Sequence, residues 1–255
     1  VADVGGDLEV VENGLFVSTR RAFDEWANET DRQPFTHENF YRWMRRESGV
    51  LLDGDGGPVG GEWNLDDENQ EFPPEEWTPP ERYVPDHDDL TAKVSEWVAE
   101  EFDTWGQPTG FEWPVTREQA TSVLEQFCTD RLPDFGPYQD AMVADEWAMA
   151  HALLSPSINL GLLHPWEAIT AIEAAYENDD SVPLNSAEGV IRQLLGWREF
   201  MRHVYRHSMP ELATANQLGA TRKLPEFYWT GETEMACVSN CVEDVHARGY
   251  AHHIQ

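Results

Sequence analysis

The sequence predicts a mainly α-helical protein: a helical bundle preceded by an irregular region rich in glycine, proline and acid. Three observations carry this. From about residue 90 onward apolar residues recur at three- and four-residue spacing, the period of one helix face. Punctuations at Leu132-Pro133, Ser155-Pro156, His164-Pro165, Ser181 to Pro183 and Met209-Pro210 cut that stretch into helix-length pieces. Apart from Leu8 to Val17, which alternates loosely enough for a short strand or an extended linker, no run has the two-residue period of a half-buried strand.

Taken in order, Arg20 to Glu29 and Thr36 to Glu47 have helical spacing, the second capped by Thr36 and turning Phe40, Trp43 and Met44 to one side. Arg42, Arg45 and Arg46 on that helix are either a solvated basic face or an anion contact. Asp53 to Asp89 has no periodicity and is a long irregular connection; its DGDG lacks the remaining ligands of a calcium loop. Helices resume at Leu90 to Phe102 and at Thr116 to Asp130, where Thr116 and Gln119 form a capping-box pattern behind Pro114. Two one-sided helices follow, one with Trp166, Ile169, Ile172 and Tyr176, the next with Val190, Leu194, Trp197, Met201 and Val204. The division expected is 1–115 as a linker region with two or three helices and 116–255 as a helical domain.

The chain has 255 residues and a formal net charge of −31, with 15 Arg but 2 Lys. Nucleic-acid binders are expected to be basic, because phosphate contacts carry most of their affinity. The acid is concentrated in front: residues 1–100 hold 25 acids against 8 bases, residues 151–255 hold 13 against 7. Such an acidic, lysine-poor surface is expected of a halophilic cytoplasmic protein, whose self-repulsion salt screens. Three cysteines argue against a disulfide framework, and no apolar run is long enough to span a membrane.

Several residue groups could carry chemistry. Gly196 lies inside a helical pattern, where it costs about 1 kcal/mol relative to Ala, so it permits close approach of a ring or a backbone. Arg198, Arg202 and Arg206 make a stripe that is either paired internally, with Glu199 for example, or faces DNA. Cys237 and Cys241 lie four apart on a helix with Met235, Val238, Val242 and Val245, as structural thiols or as ligands. Adjacent His252 and His253 would point about 100° apart on a helix and so suit proton transfer better than a shared metal. The span from Leu224 to Gln255 concentrates most of these groups, together with Phe227, Tyr228 and Trp229.

The strings LPEFYWTGETEM, YAHHIQ, LLSPSINLGLL and IRQLLGWREF, with FYRWMRRESGVLLDGDGGPVGGEWN, WPVTREQA and RLPDFGPYQDAM in front, resemble the prokaryotic iron-sulfur branch of the photolyase/cryptochrome family. The resemblance implies light-driven repair of UV-damaged DNA, with (6-4) lesions as substrate, or alternatively a blue-light photoreceptor that signals without repair. It implies FAD held by Tyr138, His151, Leu154, Ser155, Asn159, Gln193, Gly196 and Arg198, with Ala152 where many relatives have Ser. It further implies His253 as proton donor supported by His252, Trp229 as an electron relay, and Cys237 as one thiolate of a [4Fe-4S] cluster whose other ligands lie outside the chain. Glu62 departs from the family's basic residue in the Gly-Gly-Trp-Asn loop. On this resemblance the chain is expected to be a monomeric middle portion, without the antenna-chromophore domain and the C-terminal end.

Overall fold

The computed structural model of the chain describes residues 13–29 and 36–254. Among them there is no strand, and the one β pairing is a single antiparallel bridge between Leu52 and Pro58. Residues 8–12 of the expected strand or linker lie outside the described residues, and residues 14–17 form turn and bend.

Helix α1 (Arg20–Glu29) buries Phe23 and Trp26, and α2 (His37–Ser48) buries Phe40, Tyr41 and Met44. Thr36 caps α2 by accepting from the Asn39 N–H at 3.4 Å, satisfying one of the donors a helix start leaves orphaned. The α2 arginines are used within the chain. Arg42 pairs with Glu38, and buried Arg45 donates to the carbonyls of Val50, Leu51 and Trp63. The irregular stretch that follows is held by side chains too: Asn69, fully buried, exchanges hydrogen bonds with Asn185 at 3.2 and 2.9 Å.

Helix α3 (Asp89–Glu101) starts at an Asp88 cap and has no buried residue. Helix α4 (Arg117–Gln126) begins with the expected Thr116/Gln119 capping box. Leu132-Pro133 does not end it. The chain passes through a π-helical turn, Phe127–Arg131, straight into α5 (Leu132–Tyr138). Pro133 has no N–H to offer a preceding carbonyl, and the wider turn absorbs the mismatch. Helices α6 (Ser155–Asn159), α7 (Pro165–Asn178) and α8 (Leu184–Ile191) follow the other punctuations. A second π turn, Arg192–Arg198, joins α8 to α9 (Glu199–Ser208); α10 (Phe227–Thr230) and α11 (Ala236–Arg248) complete the order.

One apolar cluster joins Phe23, Phe40 and Met44 of the front helices to Ile169, Ile172, Ile191, Leu195 and Phe200 of α7 to α9. The second π turn corrects the expected face of α8 and α9. Leu195, Phe200 and His203 are buried, whereas Trp197 and Met201 are 42% and 55% exposed. A π turn carries an extra residue, so positions beyond it rotate away from a 3.6-residue stripe.

Gly196 sits in that turn, and the ring it admits is His37's. A Cβ there would lie 2.6 Å from His37 Nε2 and 3.2 Å from Tyr41 Cδ2. His37 in turn stacks on Trp197 with centroids 3.8 Å apart. We predict that Gly196→Ala lowers stability by about 1 kcal/mol, because overpacking outweighs the helix-propensity gain of alanine. An unchanged denaturant midpoint would mean that the imidazole swings aside without cost.

Candidate functional site

Two distant pieces of chain meet at the site: His151 with α6 behind it, and the turn that follows α11. Gly249, at φ 65°, ends α11, so His252 and His253 lie beyond the helix in a turn rather than on it. The end of α11 is docked by backbone. Gly106 and Gln107 donate to the carbonyls of His246 and Ala247, each at 2.9 Å. Gly106 has φ +82°, and a Cβ there would come 2.9 Å from the Gly249 nitrogen, so the approach requires glycine. Tyr250 holds the turn between Trp113 and Trp147, at 4.8 and 6.0 Å.

The result is a group of three imidazoles. His151 and His252, 6% and 4% exposed, stack at 4.4 Å with planes 18° apart. His253 stands edge-on to both, at 5.3 and 6.4 Å, and is open to solvent. Its Nε2 lies 3.5 Å from a carboxylate oxygen of Asp140, just after α5. Burial pushes His151 well below the ordinary imidazole range, with His252, His253 and Arg131 adding to the effect. Burial and then His253 lower His252 to about 4, so both stacked rings are neutral at pH 7. The Ile254 N–H donates to His252 Nδ1 at 3.3 Å, which leaves the proton on Nε2.

A ligand atom from each of the three rings lies within 4.8 Å of the others, the spacing of a metal site. The stacking argues for proton handling instead. Nearly parallel rings send their in-plane lone pairs side by side rather than toward one ion.

The remaining candidate residues are distributed as follows. Tyr138, at the end of α5, meets Trp77 edge-on at 5.0 Å. Leu154 is buried, Ser155 and Asn159 are exposed on α6, and the Ser155 hydroxyl bonds the Tyr250 phenol. Gln193 is half-buried. Gly196 faces α2, and Arg198 faces the segment before α1, donating to the Leu15 carbonyl at 2.8 Å with its guanidinium 4.1 Å from the Phe16 ring. Arg202 repeats this on the Ser18 carbonyl and Phe16. Two of the three stripe arginines are thus engaged within the chain. Trp229 is 56% exposed and 5.9 Å from Trp105. Cys237 is exposed in the first turn of α11, and Cys241 is half-buried one turn on, its thiol pushed up by burial and then by Cys237. Among the described residues no cysteine joins a group of three metal ligands, so no four-thiolate set is assembled there.

Sequence reasoning gave His151 to the flavin and the His pair to the lesion and did not bring them together, because residues a hundred positions apart carry no mutual spacing signal. It also missed Asp140 as the neighbour of His253 and Ser157 as a buried polar group. Among the described residues His151 Nε2 and Ser157 Oγ are buried with no hydrogen-bond partner.

These features describe a helical protein with a group of three imidazoles beside buried polar atoms, and comparison with known proteins gives its class. The model of the deoxyribodipyrimidine photo-lyase-related protein family matches residues 1–113, and the chain belongs to that family. It is 39% identical over 252 residues to a (6-4) photolyase of Agrobacterium fabrum, an alignment that covers 98% of this chain and 49% of that protein. The chain therefore spans about half the length of that relative. Over 96 residues it is 32% identical to an uncharacterized protein of Acanthamoeba polyphaga mimivirus, covering 38% of this chain and 73% of the viral one. No described helix is long and apolar enough to cross a membrane.

Proposed function

We propose that the chain forms the lesion-facing part of a light-driven DNA repair flavoprotein that acts on (6-4) photoproducts. The observation that carries this reading is the imidazole group. A solvent-open His253 stands beside Asp140, where a carboxylate can pair with an imidazolium, and is backed by two buried neutral rings. That arrangement suits donation of a proton from His253 to a substrate oxygen, with His252 fixing the ring beside it. The identity with a (6-4) photolyase supports the choice of lesion.

FAD, when bound, supplies the photoexcited electron. His151 Nε2 and Ser157 Oγ, both without partners, fit its diphosphate, and Tyr138, Leu154, Ser155 and Asn159 border the same segment. Gln193 is available to the ring system, while Gly196 and Arg198 are turned to other parts of the chain and act, on this reading, by shaping the wall. Trp229, exposed beside Trp105, would carry electrons from the surface, and Cys237 would supply one cluster thiolate. Residues 116–255 would form the first part of the flavin domain, in a monomeric, cytoplasmic, salt-adapted protein.

The second reading, a blue-light photoreceptor, draws on the arginines. With Arg198 and Arg202 spent on residues 15–18, the stripe leaves little charge for a phosphate backbone. Blue-light repair of a (6-4) oligonucleotide in molar salt, with FAD reduced, decides between them. We expect His253→Ala to lower the repair rate by about 10²-fold or more, with FAD still bound. Absence of repair by the unmodified protein, despite photoreducible FAD, would establish the photoreceptor.

A further inference from the structure

Against residues 152–156, just after His151, lies a cavity of about 1080 Å³, larger than most ligand sites. Ala152, Leu153 and Pro156 line it, whereas none of Tyr138, His151, Leu154, Ser155, Asn159, Gln193, Gly196 and Arg198 does. Its wall is aromatic, formed by Trp105, Phe111, Trp113, Trp147 and Tyr250. The guanidinium groups of Arg82 and Arg248 lie over the Trp147 ring, 5.2 and 4.9 Å from its centroid, and hold the indole in place.

Arg82 and Arg248 have carboxylate partners in Glu112 and Asp244. Arg131 has none. It lines the cavity, is 3% exposed, and spends one nitrogen on the carbonyls of Ala148 and Met149, at 3.2 and 2.7 Å. Among the described residues its Nε has no hydrogen-bond partner. Burial and then the neighbouring Arg82 lower its pKa to about 10. A buried guanidinium without a counter-charge is costly, and although the chain has 48 acids against 17 bases, no carboxylate among the described residues pairs with it.

We propose that this cavity is a second ligand site, which takes a planar heteroaromatic molecule carrying a phosphate, with the ring against Trp147 and Trp113 and the anion on Arg131. A flat ring matches the indole walls, and the anion supplies the missing counter-charge. The site is independent of the flavin reading, because its residues are different ones.

The test uses the three cavity tryptophans as reporters. Tryptophan fluorescence of the chain is titrated with adenosine 5′-monophosphate and with riboflavin 5′-phosphate, each against its unphosphorylated nucleoside or vitamin and against inorganic phosphate. At least one phosphorylated ring compound is expected to quench saturably in the micromolar to sub-millimolar range, with the unphosphorylated form and phosphate alone roughly tenfold weaker or more. Arg131→Gln should abolish binding, and Arg131→Lys should keep part of it. Trp147→Leu should weaken it about tenfold while Trp147→Phe retains most, and this pair reports even where Arg131→Gln does not fold. Asn159→Ala and Tyr138→Phe should leave it unchanged. The proposal is overturned if neither compound binds by millimolar concentration, if the Trp147 and Arg131 variants bind as the parent does, or if Asn159→Ala removes the binding.

Discussion

Acidification from pH 7 to pH 5 will destabilise the chain steeply. His37, His203 and His252 each have an imidazole lowered to about 4, first by burial and then by Arg192, Arg202 and His253 respectively, and buried His151 lies well below its ordinary value. In the unfolded chain the same groups titrate near 6.5. Between about pH 6.5 and 4 the unfolded state therefore binds protons that the folded state refuses, so stability is lost as pH falls through that window. Each histidine contributes at most about 1.4 kcal/mol per pH unit, and several acting together rival the 5–15 kcal/mol of an ordinary domain.

The acidity of the chain works in the opposite sense, but later. Protonation of carboxylates relieves self-repulsion mostly near pH 4, after the histidine loss is well advanced. Melting temperatures at pH 7, 6 and 5 in constant salt measure the slope, and His203→Gln should flatten it. A melting temperature that does not move between pH 7 and 5 would show that these rings are protonated in place.

The largest single-residue loss is expected at Glu199. This carboxylate is fully buried in the first turn of α9. It accepts from the Val17 N–H and the Ser18 N–H, each at 3.0 Å, and from the Ser18 hydroxyl at 2.7 Å, with Arg198 at 3.5 Å. Ser18 Oγ also lies 2.8 Å from His203 Nε2, and His203 stacks on Phe23 at 4.3 Å. One side chain thus ties residues 15–18, α1 and α9 together. Glu199→Ala strands buried donors and part of the Arg198 charge, and we predict a loss of about 3–5 kcal/mol, or roughly 10 °C in melting temperature. Ser18→Ala removes one hydroxyl and should cost about 1 kcal/mol. Equal losses in the two variants would show that the carboxylate is not the anchor.

Much of the fold was legible because its signals are local. Caps at Thr36 and Thr116 and breaks at His164-Pro165 and Met209-Pro210 act within one turn of the residues that encode them. The two π turns were not legible. The first was hidden behind Pro133, which reads as a stop, and the second displaced Trp197 and Met201 from a face that a uniform 3.6-residue period assigns to them. The imidazole group was legible as single residues but not as a constellation. The His pair stood out by composition, whereas its contacts with His151 and Asp140 depend on how α5 and α11 dock. Arg131 gave no signal, since an unmatched buried charge can be recognised only when its neighbours are known.

The helices differ sharply in how deeply they are rooted. Helices α1, α2, α7 and α8 sink side chains into the common cluster, whereas α3, α10 and α11 have no buried residue. Amide protons in the second set will exchange through local openings far cheaper than global unfolding. The turn bearing His252 and His253 hangs from α11 and so shares its local openings, while its stacking partner His151 precedes Leu154 and Ile158, which belong to the common cluster. Under mild heat or denaturant the two halves of the imidazole group will part while most of the helical signal survives, so the three rings separate before the fold is lost.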